Sequence, residues 1–228
     1  MQTTSNTDFV IGTFRRELKN RFLCEVSIDG EDVVCYVPSS CHLSNFLKLE
    51  GKQVLLVPTQ SPHSRTSYAL YAVKYRRSYI LLNTSMANRA IELSIGSRRF
   101  SFLKKRARII KEHTIYNYKT DLYLCDTDTL VEIKSIISTS KTGTFPTVYS
   151  ERTINQLKQL QELLTQGHRV CFFVVSLCPS VKEIIIDKNS AFYAEFIKCV
   201  QLGMHVSAYS CRIKQGLPTI SGILPISY

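Results

Sequence analysis

The chain has 228 residues, 44% hydrophobic and 10% aromatic, with only 9 Gly and 7 Pro, a composition that can bury a core and excludes a disordered or fibrous chain. Its 29 Lys and Arg against 18 Asp and Glu leave a charge of +11, which draws polyanions and makes nucleic acid or an anionic membrane the first partners to weigh. No stretch approaches the ~20 apolar residues needed to cross a bilayer, the opening MQTTSNTDFVIGTF lacks a basic segment followed by an apolar run, and the cysteines form no C-x-x-C pair.

Residues 1–82 read as β-structure. FVIGTFRREL, RFLCEVSI, DVVCYV, QVLLVP, SYALYAVKY and SYILL are short runs rich in β-branched and aromatic residues, separated by turn signals such as Asp29-Gly30-Glu31-Asp32 and Glu50-Gly51-Lys52. Five or six such strands fit a small barrel of the oligonucleotide-binding type. His42 beside Cys41 has no second ligand cluster to complete a zinc site, and the eight cysteines are expected as reduced thiols, mostly within apolar runs.

Residues 83–228 change rhythm. TSMANRAIELSI suits a helix capped by Thr84 or Ser85. Strand-like ARIIKEHTI, DLYLCD and TLVEIKSII follow, then a helix from about Ser150 to Gln166 with an apolar stripe through Ile154, Leu157, Leu160, Leu163 and Leu164 and a stop at Gly167. VCFFVVS reads as a buried strand, EIIID as a short one, NSAFYAEFIKCVQLG as a helix ended by Gly203, and HVSAYSCRI as a last strand. The order α-β-β-β-α-β with an α-β extension is that of a layered α/β domain.

Charge concentrates early in the second half. RRFSFLKKRARIIK carries Arg98, Arg99, Lys104, Lys105, Arg106, Arg108 and Lys111 with no acid among them, and Phe100 and Phe102 lie between the charges, as core residues or as faces for bases. Smaller clusters sit at Arg15, Arg16, Lys19 and Arg21, and at Lys74, Arg76 and Arg77. With no basic amphipathic helix, nucleic acid ranks above membrane.

KTDLYLCDTDTLVEIKS, Lys119 to Ser135, holds the candidate chemistry. Alternation places Glu132 and Lys134 on one face of a strand. A turn near Asp126 to Thr129 with an even loop sets Asp121 opposite Lys134 and Tyr123 opposite Glu132, so the three polar groups share a face; a slip of one residue separates them. Two carboxylates with the Ile133 carbonyl offer the oxygen ligands that Mg²⁺ or Mn²⁺ prefers. A bound ion activates water for phosphodiester hydrolysis, and Lys134 orients that water or balances charge in the transition state. The competing reading is a surface hairpin whose Glu132 and Lys134 are solvent-facing spacers.

The hairpin followed by a helix and a buried strand resembles the restriction-endonuclease-like nuclease core, in which an Asp and a Glu-x-Lys occupy this place. Across nearly its whole length the chain also resembles the sugar fermentation stimulation protein A family. The resemblance is carried by RFLCEVSIDGE (Arg21 to Glu31), the following YVP, LNTSMANR (Leu82 to Arg89), KTDLYL, VEIKS, FPTVYSERTINQL (Phe145 to Leu157), and ID followed by AY near the C-terminus.

It implies an oligonucleotide-binding-type barrel, a nuclease-like α/β domain, bacterial cytoplasm, DNA binding and a label of sugar-utilisation control. On it Asp121, Glu132 and Lys134 match the hairpin motif, and Glu112 matches an acidic residue one strand earlier, a further metal ligand. Departures are Ser39-Ser40-Cys41 for Asn-Thr-Gly, Lys119 for Arg, Thr147 for Asp, Thr153 for Gly and Gln156 for His.

The sites expected are therefore a metal and catalytic group of Asp121, Glu132, Lys134 and Glu112, and a phosphate-backbone surface of Arg98, Arg99, Lys104, Lys105, Arg106 and Arg152. Glu92 is a weaker candidate ligand and Glu151 favours the start of its helix, while Asn83 and Asn88 are read as ordering the junction between halves. The alternatives are a non-catalytic DNA-binding regulator of sugar utilisation and, last, an enzyme of small phosphorylated metabolites. Oligomeric state has no signature in the sequence.

Overall fold

Alternation along short strands shapes the first half. In the computed structural model, which describes residues 8–39, 42–59 and 64–228, β1 (Val10–Glu17) turns Gly12 and Phe14 inward, β2 (Leu23–Ile28) turns Cys24 and Val26 inward, and β3 (Glu31–Tyr36) turns Cys35 inward. With β4 (Gln53–Pro58) and β5 (Tyr68–Tyr75) they close a five-stranded barrel in the cyclic order β1-β2-β3-β5-β4, the closure being a parallel pairing of Tyr36 with Ala69. Closure removes the exposed edges that an open sheet of this size would present. Gly12 sits at a crowded point, where a Cβ would lie 2.5 Å from Val26 Cγ1. Cys41 and Ser40, with the opening residues 1–7, lie outside the described residues.

β6 (Ser78–Leu81) leaves the barrel as a hairpin with β5 and ties it to the second half, where the Leu81 N–H donates to the Leu177 carbonyl at 3.1 Å. There α1 (Met86–Ser94) begins without a side-chain cap from Ser85; the Asn83 side chain instead accepts the Ser85 N–H and hydroxyl at 3.0 and 2.7 Å. The basic run Arg98–Leu103 winds into a 3-10 turn with Phe100 and Leu103 fully buried. Strands β7 (Ile109–Lys111), β8 (Thr114–Ile115), β9 (Tyr118–Lys119), β10 (Leu122–Leu124) and β11 (Thr129–Ile136) follow, then β12 (Thr142–Phe145).

Helix α2 (Glu151–Thr165) is capped by Ser150, which accepts the Thr153 N–H. It is followed by β13 (Arg169–Ser176), β14 (Glu183–Ile186), α3 (Ala191–Gln201), β15 (His205–Lys214), β16 (Leu217–Leu224) and β17 (Ile226–Ser227). The glycines expected to stop α2 and α3, Gly167 and Gly203, hold φ of 95° and 98°, a conformation cheap only for glycine.

The main sheet runs β16-β15-β13-β11-β10-β7, with β11, β13 and β15 parallel. A parallel core strand is covered on both faces. Accordingly Phe172 of β13 meets Phe192 and Phe196 of α3, while its neighbour Phe173 meets Phe100 and Tyr209. The elements β12, β14 and β17 form a small parallel sheet of their own. Four strands escape the sequence pattern: β9 and β17 span two residues each, β12 is rich in Gly and Thr, and β16 contains Pro218 and Gly222, residues tolerated because it is the sheet's edge.

Six of the seven described cysteines are buried and all seven are free of disulfides, and burial pushes the thiols of Cys171, Cys199 and Cys211 up to about 12. No described helix is long and apolar enough to cross a membrane.

Candidate functional site

The hairpin of β10 and β11 turns one residue earlier than its sequence suggests, which shifts the cross-strand register by two. Leu124 pairs with Thr129, Tyr123 with Leu130 and Leu122 with Val131, so Asp121 comes next to stand across from Glu132, not from Lys134. The loop explains this. The Asp126 carboxylate accepts the Ala107 and Arg108 N–H groups at 2.7 and 2.9 Å, and Asp128, at a left-handed φ of 46°, accepts the Tyr123 hydroxyl at 2.8 Å. A shift of two preserves the side-chain alternation, and the three polar residues of the motif still line one cleft.

β10 ends at Leu122, and the Asp121 side chain takes over from the ladder: its Oδ2 accepts the Ile133 N–H at 2.7 Å, while Oδ1 accepts the Asn88 amide of α1 at 2.8 Å. Glu132 is 3% exposed. Its Oε1 pairs with Lys134 Nζ at 2.6 Å, and its Oε2 accepts the hydroxyl of buried Tyr118. Lys134 also donates to Gln156 Oε1 of α2 at 2.8 Å.

Burial first, then the Glu132 charge, pushes the Asp121 carboxyl up to about 6, against the opposing pull of the Ile133 N–H, Asn88 and Lys134. The same two causes raise the Tyr118 hydroxyl, which therefore stays a proton donor to Glu132.

These groups line a cleft of about 540 Å³, to which the barrel contributes Ser39 and Phe46 and α2 contributes exposed Arg152. Thr147, Thr153 and Gln156, three of the positions that depart from the resembled pattern, line it as well. Each carboxylate oxygen accepts one hydrogen bond and keeps a second lone-pair direction. Two such oxygen donor groups, one raised in pKa by the other's charge, suit a hard divalent cation. Among the described residues no third Asp, Glu, His or Cys converges with them.

Glu112, expected as a third ligand, is a correction. It stands 72% exposed outside the cleft, ion-paired to Lys119, because it sits at a left-handed turn (φ 51°) beyond the end of β7. That pairing also holds its carboxyl below the usual range. Glu92 is likewise engaged elsewhere, with Arg89 and Lys111 both at 3.1 Å.

The basic run is the second correction. Arg99 donates to the Ile220 and Ser221 carbonyls, Arg106 to the Lys104 and Gly96 carbonyls, and Lys105 pairs with Asp126 at 3.2 Å. Arg98 and Lys104 are exposed but line no part of the cleft. The buried Phe100 and Leu103 anchor the run to the sheet, and of its cations Arg99 and Arg106 turn to backbone carbonyls and Lys105 and Lys111 to carboxylates. Arg152 alone of the expected phosphate-binding residues borders the cleft.

Three residues of the site were not legible as such. Asn88 passes for a junction residue, Tyr118 sits in a two-residue strand, and Gln156 stands out only as a departure from the resembled pattern, one of several glutamines on α2. The spacing Tyr118-x-x-Asp121 is the one local hint, and only the fold reveals that Tyr118 serves Glu132.

Two family profiles divide the chain: "SfsA N-terminal OB domain" matches residues 17–82 and "Sugar fermentation stimulation protein RE domain" matches residues 85–216. A sugar fermentation stimulation protein homolog of Pseudoalteromonas atlantica is 29% identical over 90% of this chain and 92% of its own, and one of Alkaliphilus metalliredigens is 24% identical over 94% and 95%. The solved structure of Pyrococcus furiosus SfsA in complex with Ca²⁺ superposes with a TM-score of 0.83 over 97% of both chains, at 19% identity. That likeness establishes the shared fold.

Proposed function

The chain belongs to the sugar fermentation stimulation protein family, and from that premise we propose that its cleft hydrolyses phosphodiester bonds of nucleic acid with a divalent cation. The observation that carries the reading is the pair Asp121 and Glu132 set across one hairpin, with Lys134 beside them in a cleft bordered by Arg152. The carboxylates of Asp121 and Glu132 would hold Mg²⁺ or Mn²⁺, which when bound supplies a Lewis acid for the phosphoryl oxygen and for water. Calcium in the complex of the Pyrococcus furiosus relative, another hard cation, agrees with this donor chemistry.

The chain's own residues have distinct tasks. Tyr118 and Lys134 hold the Glu132 carboxylate in one rotamer, and Asn88 with the Ile133 N–H does the same for Asp121. Preorganised donors of this kind are effective because they do not reorganise as charge develops. Lys134, already shared between Glu132 and Gln156, is the cation nearest the pair and stabilises negative charge growing on the phosphate. Arg152 orients the phosphate from the cleft's open side.

Incubation with single- and double-stranded DNA and RNA plus Mn²⁺ or Mg²⁺ tests this, beside an Asp121→Asn variant. Cleavage should fall about 10²–10³-fold in the variant, the scale of losing one preorganised group of an active site. Equal cleavage by both chains overturns the reading. One observation favours a non-catalytic, DNA-binding alternative: all four carboxylate oxygens already have protein partners. Absence of Mn²⁺ uptake by calorimetry, with DNA binding intact, would select it.

A further inference from the structure

The cleft does not end at the carboxylates. Phe46 of the barrel lines it and also lines a second cavity of about 260 Å³ between the barrel and the segment after β11, where Tyr75 and Thr139 meet. Lys48, Lys52 and Lys74 line this second cavity, and no acidic residue does among the described residues. Nor has any of the three an ion pair there, in contrast to Lys105, Lys111 and Lys119 of the second half. The Lys52 ammonium lies 5.6 Å from the Tyr75 ring centroid, and the guanidinium of Arg76 lies 5.4 Å from it on the β5–β6 turn.

We infer that this lysine pocket binds the phosphates of a single nucleic-acid strand whose neighbouring phosphodiester lies in the carboxylate cleft. The inference rests on the proposed phosphodiesterase reading and names the part of the substrate that the barrel holds. Three cations without acids in a pocket carry an uncompensated field that concentrates phosphate. The aromatic among them offers a base a stacking face, the usual complement of a cationic groove on single strands. A cavity of about 260 Å³ admits part of an unstacked strand and is too small for a duplex. Phe46, shared by both cavities, marks the path between them.

Fluorescence anisotropy of a labelled dT12 oligonucleotide, with EDTA and in an Asp121→Asn background, reads binding apart from hydrolysis. The triple variant Lys48→Gln/Lys52→Gln/Lys74→Gln should bind about 10- to 100-fold more weakly at low salt, and the slope of log K against log salt should fall by about 2, given ~0.7 per phosphate contact on single strands. The charge-matched Arg98→Gln/Lys104→Gln/Lys105→Gln variant should lose less than about threefold, as expected of scattered surface charge.

An unchanged affinity and slope in the first variant, an equal loss in both, or an absence of binding in the parent overturns the inference. So does displacement of the strand by equimolar inorganic pyrophosphate, which marks a small-anion pocket. Hydrolysis by the otherwise native chain, measured separately with Mn²⁺, decides the cleft reading whichever way binding falls.

Discussion

The segment 98–111 and the hairpin 119–135 are neighbours in sequence and opposite in design. The first concentrates charge and then engages part of it: Arg99 and Arg106 turn to backbone carbonyls, and Lys105 and Lys111 to carboxylates. The second buries its central charges, so that Glu132 and Lys134 face each other with little water between and Asp121 carries a raised pKa. Charge density along a chain is thus a poor guide to where a protein does chemistry. Desolvation, which strengthens electrostatic interactions and makes unpaired groups costly, is the better one.

The sharpest way to break the contrast is Lys134→Met, which leaves the Glu132 carboxylate buried without its cation. Such a loss costs about 3–5 kcal/mol, and urea unfolding should show it, whereas Lys104→Met in the exposed run should stay within about 0.5 kcal/mol. If both substitutions prove equally mild, Glu132 is not committed to the buried pair.

Tyr118→Phe comes next. It removes the donor to Glu132 Oε2 and should cost about 1–3 kcal/mol, the range for leaving a buried acceptor unsatisfied.

A pH experiment separates the buried carboxylate of the hairpin, Asp121, from Asp126, the one that holds the basic run, by sign. A carboxyl raised from 3.8 to about 6 binds its proton more tightly in the folded chain, so the stability it allows is intact below pH ~4, is lost as pH rises toward 6, and stays lost above. The full penalty is on the order of 3 kcal/mol. Asp121→Asn relieves it but forfeits one acceptor, so the metal-free variant should be ~1–2 kcal/mol more stable than the parent at pH 8 and no more stable at pH 4. Asp126, whose carboxyl the Arg108 N–H foremost and then Lys105 and the Ala107 N–H hold low, should behave oppositely: Asp126→Asn destabilises at neutral pH, by an amount limited by its solvent contact.

The smallest expected effect is at Glu112. Glu112→Gln breaks a solvent-screened pair with exposed Lys119 and should leave the urea-unfolding midpoint and the Mn²⁺ affinity unchanged. A tenfold loss of Mn²⁺ affinity would restore Glu112 to the metal site and undo its separation from the hairpin.

Much was readable from residue order alone, because local periodicity records which face is buried. The barrel strands, both long helices with their glycine stops, and the buried β13 follow from alternation, stripe and punctuation within windows of ten or so residues. Alternation puts Glu132 and Lys134 on one face, but the loop parity on which Asp121 joins them is open in the sequence and only the structure supplies it.

What tertiary structure alone decided are the partners reached across long sequence separations. Asn88 meets Asp121 across 33 residues and Lys134 meets Gln156 across 22. Arg99 of the basic run turned to carbonyls of β16, more than 120 residues away. The lysines of the barrel acquired their place beside the cleft only when the two halves packed. A side chain's local neighbours set its conformation, but the solvent it loses and the charge it meets depend on the whole packed chain, and those two quantities determine whether it is a spacer or a functional group.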